Sequence, residues 1–503
     1  MTLLGVDIGT TGCKAAVVST EGALQATAYR EYPLITPRPG WAQLDPDEVW
    51  DAVCSAIREV TSAGAPPPVA VATATLGEAV TPIDGRGRAL GPSIVSFDHR
   101  AAAQHAALVE RVGQDGIERI TGLAPMSHYA VAKWSWLARE ASDVYRAAAK
   151  LVCYGDLAAA RLGLEPVMDH TMAARTLALD RSSRNWSPAI LRAAGVEEAK
   201  LPTPAPSGTV IGTIPRQHCL DLGLAPDAAL VAGGLDQACA AHAVGVGRAG
   251  SALLSLGTVA VLAMALAGDR ARPLEIPTGP HVVEGRSLAV AGAPAGGAVL
   301  RWYRDVLGAA DAERAEAAGA DFYDIIVSSA AEIETASIVV PHFAGSRAAF
   351  ADPDSQAVLA GLTFDTDRHH LVRALLEGVA LETAVMAERL AAAVDPLVSL
   401  RAAGGGSKSA PWMQIFADVL GVPVESAASS YGAAVGAALI AGSAIGVVDD
   451  EATLPMVARF EPDEARADSY RAKLALYRRL YGTMAAVRRA GRREGEPGSA
   501  GDP

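Results

Sequence analysis

Leu3-Leu4-Gly5-Val6-Asp7-Ile8-Gly9-Thr10-Thr11-Gly12-Cys13-Lys14-Ala15-Ala16-Val17-Val18 opens the chain with two short apolar runs separated by a glycine-bounded turn. Runs of this length, divided by such a turn, read as strand, tight turn, strand. A carboxylate at the end of the first strand, Asp7, can hold a hydrated magnesium ion. The 9–12 turn lets backbone N–H groups approach phosphate oxygens, and Thr10, Thr11 and Lys14 add donors. An ordinary β-hairpin with a soluble turn accounts for the same residues equally well at this point.

Working outward, a turn at 19–22 leads to a third strand over 23–29. Asp45-Pro46-Asp47-Glu48 then starts a helix, with acidic residues in its first turn and Val49, Ala52, Val53 and Ile57 at helical spacing. The run 69–74 reads as a strand buried on both faces. Strands alternating with helices indicate an α/β architecture. The stretch 252–262 repeats the opening in miniature around Gly257-Thr258, with Ser255 where Asp7 stood. Two halves are therefore expected, 1–247 and 248–490, followed by a flexible tail over 491–503. Only the first half carries the metal-directed carboxylate, which suits a single active site.

The whole chain bounds these readings. It has 503 residues, 43 Lys and Arg against 56 Asp and Glu, and a hydrophobic half, which excludes a disordered or fibrous chain and implies about two to four domains. A net charge of −13 disfavours nucleic acid, and the one dense basic cluster, Arg488, Arg489, Arg492 and Arg493, reads as a solvated helix end. The five cysteines form no C-x-x-C pair, which argues against a disulfide framework or zinc site and fits a reducing cytoplasm. No signal peptide is expected. The uncharged stretch 249–268 has the length of a membrane span, but Gly257-Thr258 splits it into two short strands, so no membrane partner is expected. No H-E-x-x-H and no G-x-S-x-G is present.

Three further stretches bear on chemistry. Leu400 to Ala403 reads as a strand running into Gly404, Gly405 and Gly406, which leave room for a flat base and open a helix over 410–420. Gly245-Val246-Gly247-Arg248-Ala249-Gly250 matches a dinucleotide fingerprint, with Asp269 about twenty residues on. It follows a helix and precedes a strand, the reverse of the order that motif needs. Asp236 ends an apolar, glycine-rich strand and begins a helix, a position that suits a general base and equally a helix cap.

Together these residues resemble the FGGY family of carbohydrate kinases over nearly the whole chain. The most specific matches are Lys133-Trp134-Ser135-Trp136-Leu137-Ala138-Arg139-Glu140 and the stretch 357–377, in which Gly361-Leu362 is followed by His370-Leu371 and then Ala374 to Glu377. The resemblance implies an α/β fold of two ribonuclease H-like domains, of the actin and hexokinase ATPase type, with an interdomain cleft that closes to exclude water. It implies ATP and Mg2+ as cofactors, with Asp7, Thr10, Thr11 and Lys14 at the metal and phosphates. Gly257 and Thr258 form a second phosphate grip in that scheme, and Gly404, Gly405 and Gly406 meet the adenosine. Asp236 matches the catalytic base. Phe97-Asp98-His99-Arg100 approximates a Trp-x-Asp-x-Arg region, which makes Asp98 a substrate ligand.

The departures fall where the sugar is chosen. Thr75-Leu76-Gly77-Glu78-Ala79 stands where xylulokinases run Gly-Gln-Met-His-Gly and where glycerol kinases carry Arg-Glu. Glu78 keeps the carboxylate, and Gly77 lacks the guanidinium, leaving a roomier site. His128 and Ala130 break the first half of the first signature, and Tyr431 stands where relatives often carry Glu. The expected acceptor site comprises Gly77, Glu78, Asp98, His128 and Asp236. Its substrate is a small sugar or polyol, such as the ketopentose xylulose. A nucleotide-binding regulator on the same fold is the alternative, and it needs none of Glu78, Asp98 and Asp236. A homodimer is the default expectation.

Overall fold

The computed structural model describes residues 1–267, 277–393, 396–429, 431–449 and 452–495. Gly268, Asp269 and the residues after 495 lie outside them. In chain order, the elements that position the site begin with β1 (Thr2–Ile8), β2 (Gly12–Ser19), β3 (Leu24–Glu31), α1 (Pro46–Thr61) and β4 (Ala70–Thr75). These are followed by α2 (His170–Ala174), β5 (Val210–Thr213), β6 (Ala229–Leu235) and α3 (Asp236–Ala243). Then come β7 (Ser251–Leu256), β8 (Ala260–Ala267), β9 (Thr278–Pro280), β10 (Arg286–Ala293) and α4 (Ala298–Val306). The chain continues through α5 (Arg368–Ala393), β11 (Ser399–Ala403), α6 (Ala410–Leu420), β12 (Val424–Ala427) and α7 (Gly432–Ala444), and the last elements are β13 (Met456–Phe460) and α8 (Glu464–Gly495).

A six-stranded sheet has the order β5-β6-β4-β1-β2-β3. The meander β1-β2-β3 is antiparallel, and β1, β4 and β6 run parallel, which is the expected ribonuclease H-like α/β arrangement. Every residue of β4 is buried, as its uniformly small and β-branched sequence predicts. α1 begins where Asp45 caps it, the carboxylate accepting from the N–H groups of Asp47 (2.9 Å) and Glu48 (3.3 Å). Its Val49, Val53 and Ile57 join Leu4, Val6 and Ile8 in one buried cluster. A second sheet has the order β9-β10-β8-β7-β11-β12-β13.

By contacts the chain forms two compact units. The first comprises Met1–Leu253, Ala263–Val290 and Ala428–Met456, and the second Leu254–Leu262, Ala291–Ala427 and Val457–Pro503. The first unit therefore recruits α7 from late in the sequence. A Cβ on Gly5 of β1 would stand 1.7 Å from the Ala434 carbonyl oxygen, and one on Gly436 of α7 only 1.9 Å from that of Cys239 in α3. Glycine at both positions is what lets the helix backbone lie against the sheet and its neighbour.

In the second unit α5 and α8 are tied by buried polar groups. Glu377 accepts from Arg373 Nε (2.8 Å), the Tyr470 hydroxyl (3.0 Å) and Lys473 Nζ (2.6 Å). The match over 357–377 thus ends in a packing clamp. The stretch read as two strands around Gly257-Thr258 is β7 and β8, and no helix among the described residues is long and apolar enough to cross a membrane. α8 runs to Gly495, so the expected tail at 491 begins inside a helix.

Candidate active site

Three parallel strands of the first unit end at one level. Asp7 of β1 and Gly234 of β6 both pair with Ala74 of β4, and Ile8 and Leu235 both pair with Thr75. The carboxyl ends of such strands are where α/β sheets place their chemistry. Glu78 follows β4, and Asp236 follows β6 as the first residue of α3. A register shift between Val231 and Gly234 accompanies this, and a Cβ on Gly233 would stand 1.9 Å from the Thr73 carbonyl oxygen.

Gly77, Glu78, Arg175, Asp236 and Gln237 line one cavity of about 160 Å3, together with Thr171 and the edge residues Pro277–Pro280. A cavity of about 150 Å3 admits a benzene-sized molecule, so a small acceptor fits. Glu78 is buried in a left-handed conformation (φ 61°). Its Oε1 lies 2.5 Å from Arg175 Nη2 and 3.9 Å from His128 Nε2. Asp236 is half-buried, and burial together with the Asp7 charge pushes its carboxyl up to about 7. Burial raises Asp7 to about 6, against the pull of Lys14, its cross-strand partner.

Asp236 is held by a chain of hydrogen bonds from α2. Asp169 caps that helix, the Thr171 hydroxyl donates to Asp169 Oδ1 (2.5 Å), and Thr171 Oγ1 accepts from the Leu235 N–H (2.7 Å). The residue just before Asp236 is thereby fixed to the element that carries Arg175.

Asp98 stands apart from the cavity. Its two oxygens accept from four protein donors: Ala42 N–H (2.6 Å), Arg100 N–H (2.8 Å), Arg100 Nε (2.9 Å) and Arg100 Nη2 (2.7 Å). Four donors fill the lone-pair sites of a carboxylate, leaving none for a sugar. The Arg100 guanidinium in turn lies over Trp41 at 3.7 Å. Asp98 therefore braces a loop, a correction to its expected place as a substrate ligand. His128 is brought beside Glu78 but does not line the cavity.

In the second unit the Gly257-Thr258 turn is held from behind. Gly296 N–H donates to the Thr258 carbonyl (3.0 Å) and Gly297 N–H to that of Gly257 (2.7 Å), just ahead of α4. Gly404 has φ 99°, and a Cβ there would stand 2.7 Å from the Leu256 carbonyl oxygen. The two glycine motifs of this unit thus meet at Leu256. The glycines lead into a 3-10 turn, Gly405–Lys408, and the capping residue of α6 is Ser409, whose hydroxyl accepts from the Trp412 N–H (3.4 Å). That corrects the expectation that the glycines open the helix.

Within the first unit, Asp7 and Asp236 fit a hydrated magnesium ion. The Asp7 charge raises the proton affinity of Asp236, and both residues offer hard carboxylate oxygens. Among the described residues no group of three or more His, Cys, Asp or Glu could hold a metal by itself. A cation here must complete its shell with phosphate and water, which is how Mg2+ binds. Cβ atoms built on Gly257 and Gly405 meet nothing within 4 Å, leaving open surface.

Arg175, Thr171 and the Gly296-Gly297 brace escaped the sequence reading. A helix-capping pattern at Asp169-x-Thr171 was the one local signal, and it says nothing about what α2 faces.

Comparison with known proteins agrees with this geometry. The N-terminal domain of the FGGY family of carbohydrate kinases matches residues 2–243, and the C-terminal domain of that family matches residues 252–445. A glycerol kinase of Gloeobacter violaceus is 31% identical, with 90% of each chain covered. A gluconokinase of Bacillus subtilis is 25% identical, with 94% of each covered. The crystal structure of a xylulose kinase from Rhodospirillum rubrum is 28% identical, covers 97% of this chain and 99% of its own, and superposes with a TM-score of 0.86.

Proposed function

Since the chain belongs to the FGGY family of carbohydrate kinases, and is thus a phosphotransferase using ATP with Mg2+, we propose that it phosphorylates a hydroxyl of a small sugar or polyol bound beside Glu78 and Asp236. The observation that carries this reading is Asp236. It is half-buried at a strand end, lines the acceptor cavity, and has a carboxyl poised at about 7. A base with that affinity can take a hydroxyl proton near neutral pH and release it afterwards.

In this scheme the acceptor hydroxyl oxygen attacks the γ-phosphorus, its proton passes to Asp236, and the bond to the bridging oxygen of ADP breaks. Phosphoryl transfer asks for positioning and charge neutralisation more than covalent chemistry. Asp7 would hold Mg2+, which when bound neutralises phosphate charge. Thr10, Thr11 and Lys14 would hold phosphate oxygens, Gly257 and Thr258 a further phosphate edge, and Gly404, Gly405 and Gly406 the adenosine. The regulator reading is not favoured, because it leaves the acceptor cavity and its base without a task.

The test is ADP release with Mg-ATP against ketopentoses, aldoses, glycerol, longer polyols and aldonates, with Asp236→Asn as control. The expected result is one substrate raising turnover far above background, with kcat lowered roughly 10²-fold or more in the variant. Near-normal turnover in Asp236→Asn would remove the base assignment.

A further inference from the structure

We propose that Arg175 is the second arm of the acceptor site, and that with Glu78 it selects a neutral acceptor bearing adjacent hydroxyls over an acidic sugar. This rests on the kinase reading above and names its substrate class.

Arg175 follows α2 and lines the cavity with Glu78 and Asp236. Its Nη2 faces the Glu78 carboxylate, and its guanidinium lies 5.1 Å from the centre of the Tyr129 ring, which limits its tilt. Its Nε is buried with no hydrogen-bond partner among the described residues. A buried guanidinium N–H without an acceptor is costly, so an oxygen from a ligand is the natural occupant. Residue 77 places no side chain against that nitrogen. A Cβ at Gly77 would lie 3.9 Å from Arg175 Nε, and any longer side chain would crowd that nitrogen.

The donor and the acceptor of this pair sit side by side. Both ion-pair contacts of Glu78 fall on Oε1, which leaves the carboxylate further lone pairs. One hydroxyl can donate to Glu78 while its neighbour accepts from Arg175 Nε, which is how adjacent hydroxyls are told from isolated ones. Charge excludes the acidic alternative. Arg175 faces both Glu78 and Asp236, and the buried Lys133 ammonium also faces Glu78. An aldonate would bring one more carboxylate beside Glu78 and Asp236, where Arg175 and Lys133 already face Glu78.

The experiment uses the full-length protein with Mg-ATP and four acceptors: D-xylulose, xylitol, glycerol and D-gluconate. At least one neutral acceptor is expected to exceed gluconate about tenfold in kcat/KM. Arg175→Gln should raise its KM by about tenfold or more, with kcat changed less than about threefold and the KM for ATP unmoved. Arg175→Lys keeps the charge but not the Nε–H, so it should not restore KM. Gluconate matching the neutral acceptors, or an unchanged KM in Arg175→Gln, overturns the proposal while the kinase reading stands. No turnover of any acceptor by the wild type takes down both. If a thermal melt shows Arg175→Gln to be unfolded, the wild-type ratio of neutral to acidic acceptor decides alone.

Discussion

Two carboxylates, at the ends of the strands on either side of β4, set the chemistry at the scale of single residues. Asp7 is raised to about 6 by burial, and Asp236 to about 7 by burial and the nearby Asp7 charge, because both penalise the charged form. A base works only when deprotonated, so kcat/KM for the acceptor should fall as pH drops below about 7, approaching tenfold per unit. Arg175 holds Asp236 down, so Arg175→Gln should move that limb to higher pH, readable in a pH-rate profile. Thr171→Val is a second residue-scale prediction. It strips the Leu235 N–H of its acceptor, and kcat should drop about tenfold with the acceptor KM little changed, while Thr171→Ser should restore it. Asp236 was legible because a carboxylate between a glycine-rich strand and a helix is a local pattern. Thr171 was not, because it meets its partner from 64 residues away. Asp98 was misread for a related reason: the motif locates the carboxylate, but only the structure reveals that Ala42 and Arg100 saturate it.

Elements whose signals are local were legible almost to the residue. The helix starting at Asp45-Pro46 and the one over 410–420 carry their own caps and prolines, and the strand-turn-strand at the N-terminus carries its glycines. α7 is different. Its sequence, Gly432–Ala444, is apolar all round, and nothing in it announces that it covers β1 rather than its sequence neighbours β12 and β13. The information lies in the missing side chains of Gly5 and Gly436. Adding one at either place pushes two backbones apart with no flexible group to yield. Gly436→Val should therefore lower stability by about 2–3 kcal/mol or more, seen as a fall in Tm and in soluble yield.

At the scale of the whole molecule the two units are interleaved in sequence. The first is completed by Ala428–Met456 and the second by Val457 onward, so a single cut near residue 247 separates β1 from its covering helix. A fragment ending at 247 should expose the apolar sheet face around Leu3 and Gly5 and aggregate or bind hydrophobic dyes. Joining residues 1–290 through a short linker to 428–456 should restore a cooperative melt. A cooperative, soluble 1–247 fragment would contradict this account of the packing.

The late arrival of α7 also has a meaning in time. Translation adds about 5–20 residues each second, so the 191 residues from 254 to 444 take roughly 10–40 s to emerge. Through that interval the nascent protein carries a nearly finished N-terminal sheet whose lid has not yet been synthesised. Its yield in the cell should then depend on chaperone supply and on codon usage between those two points, more than on the equilibrium stability of the finished enzyme.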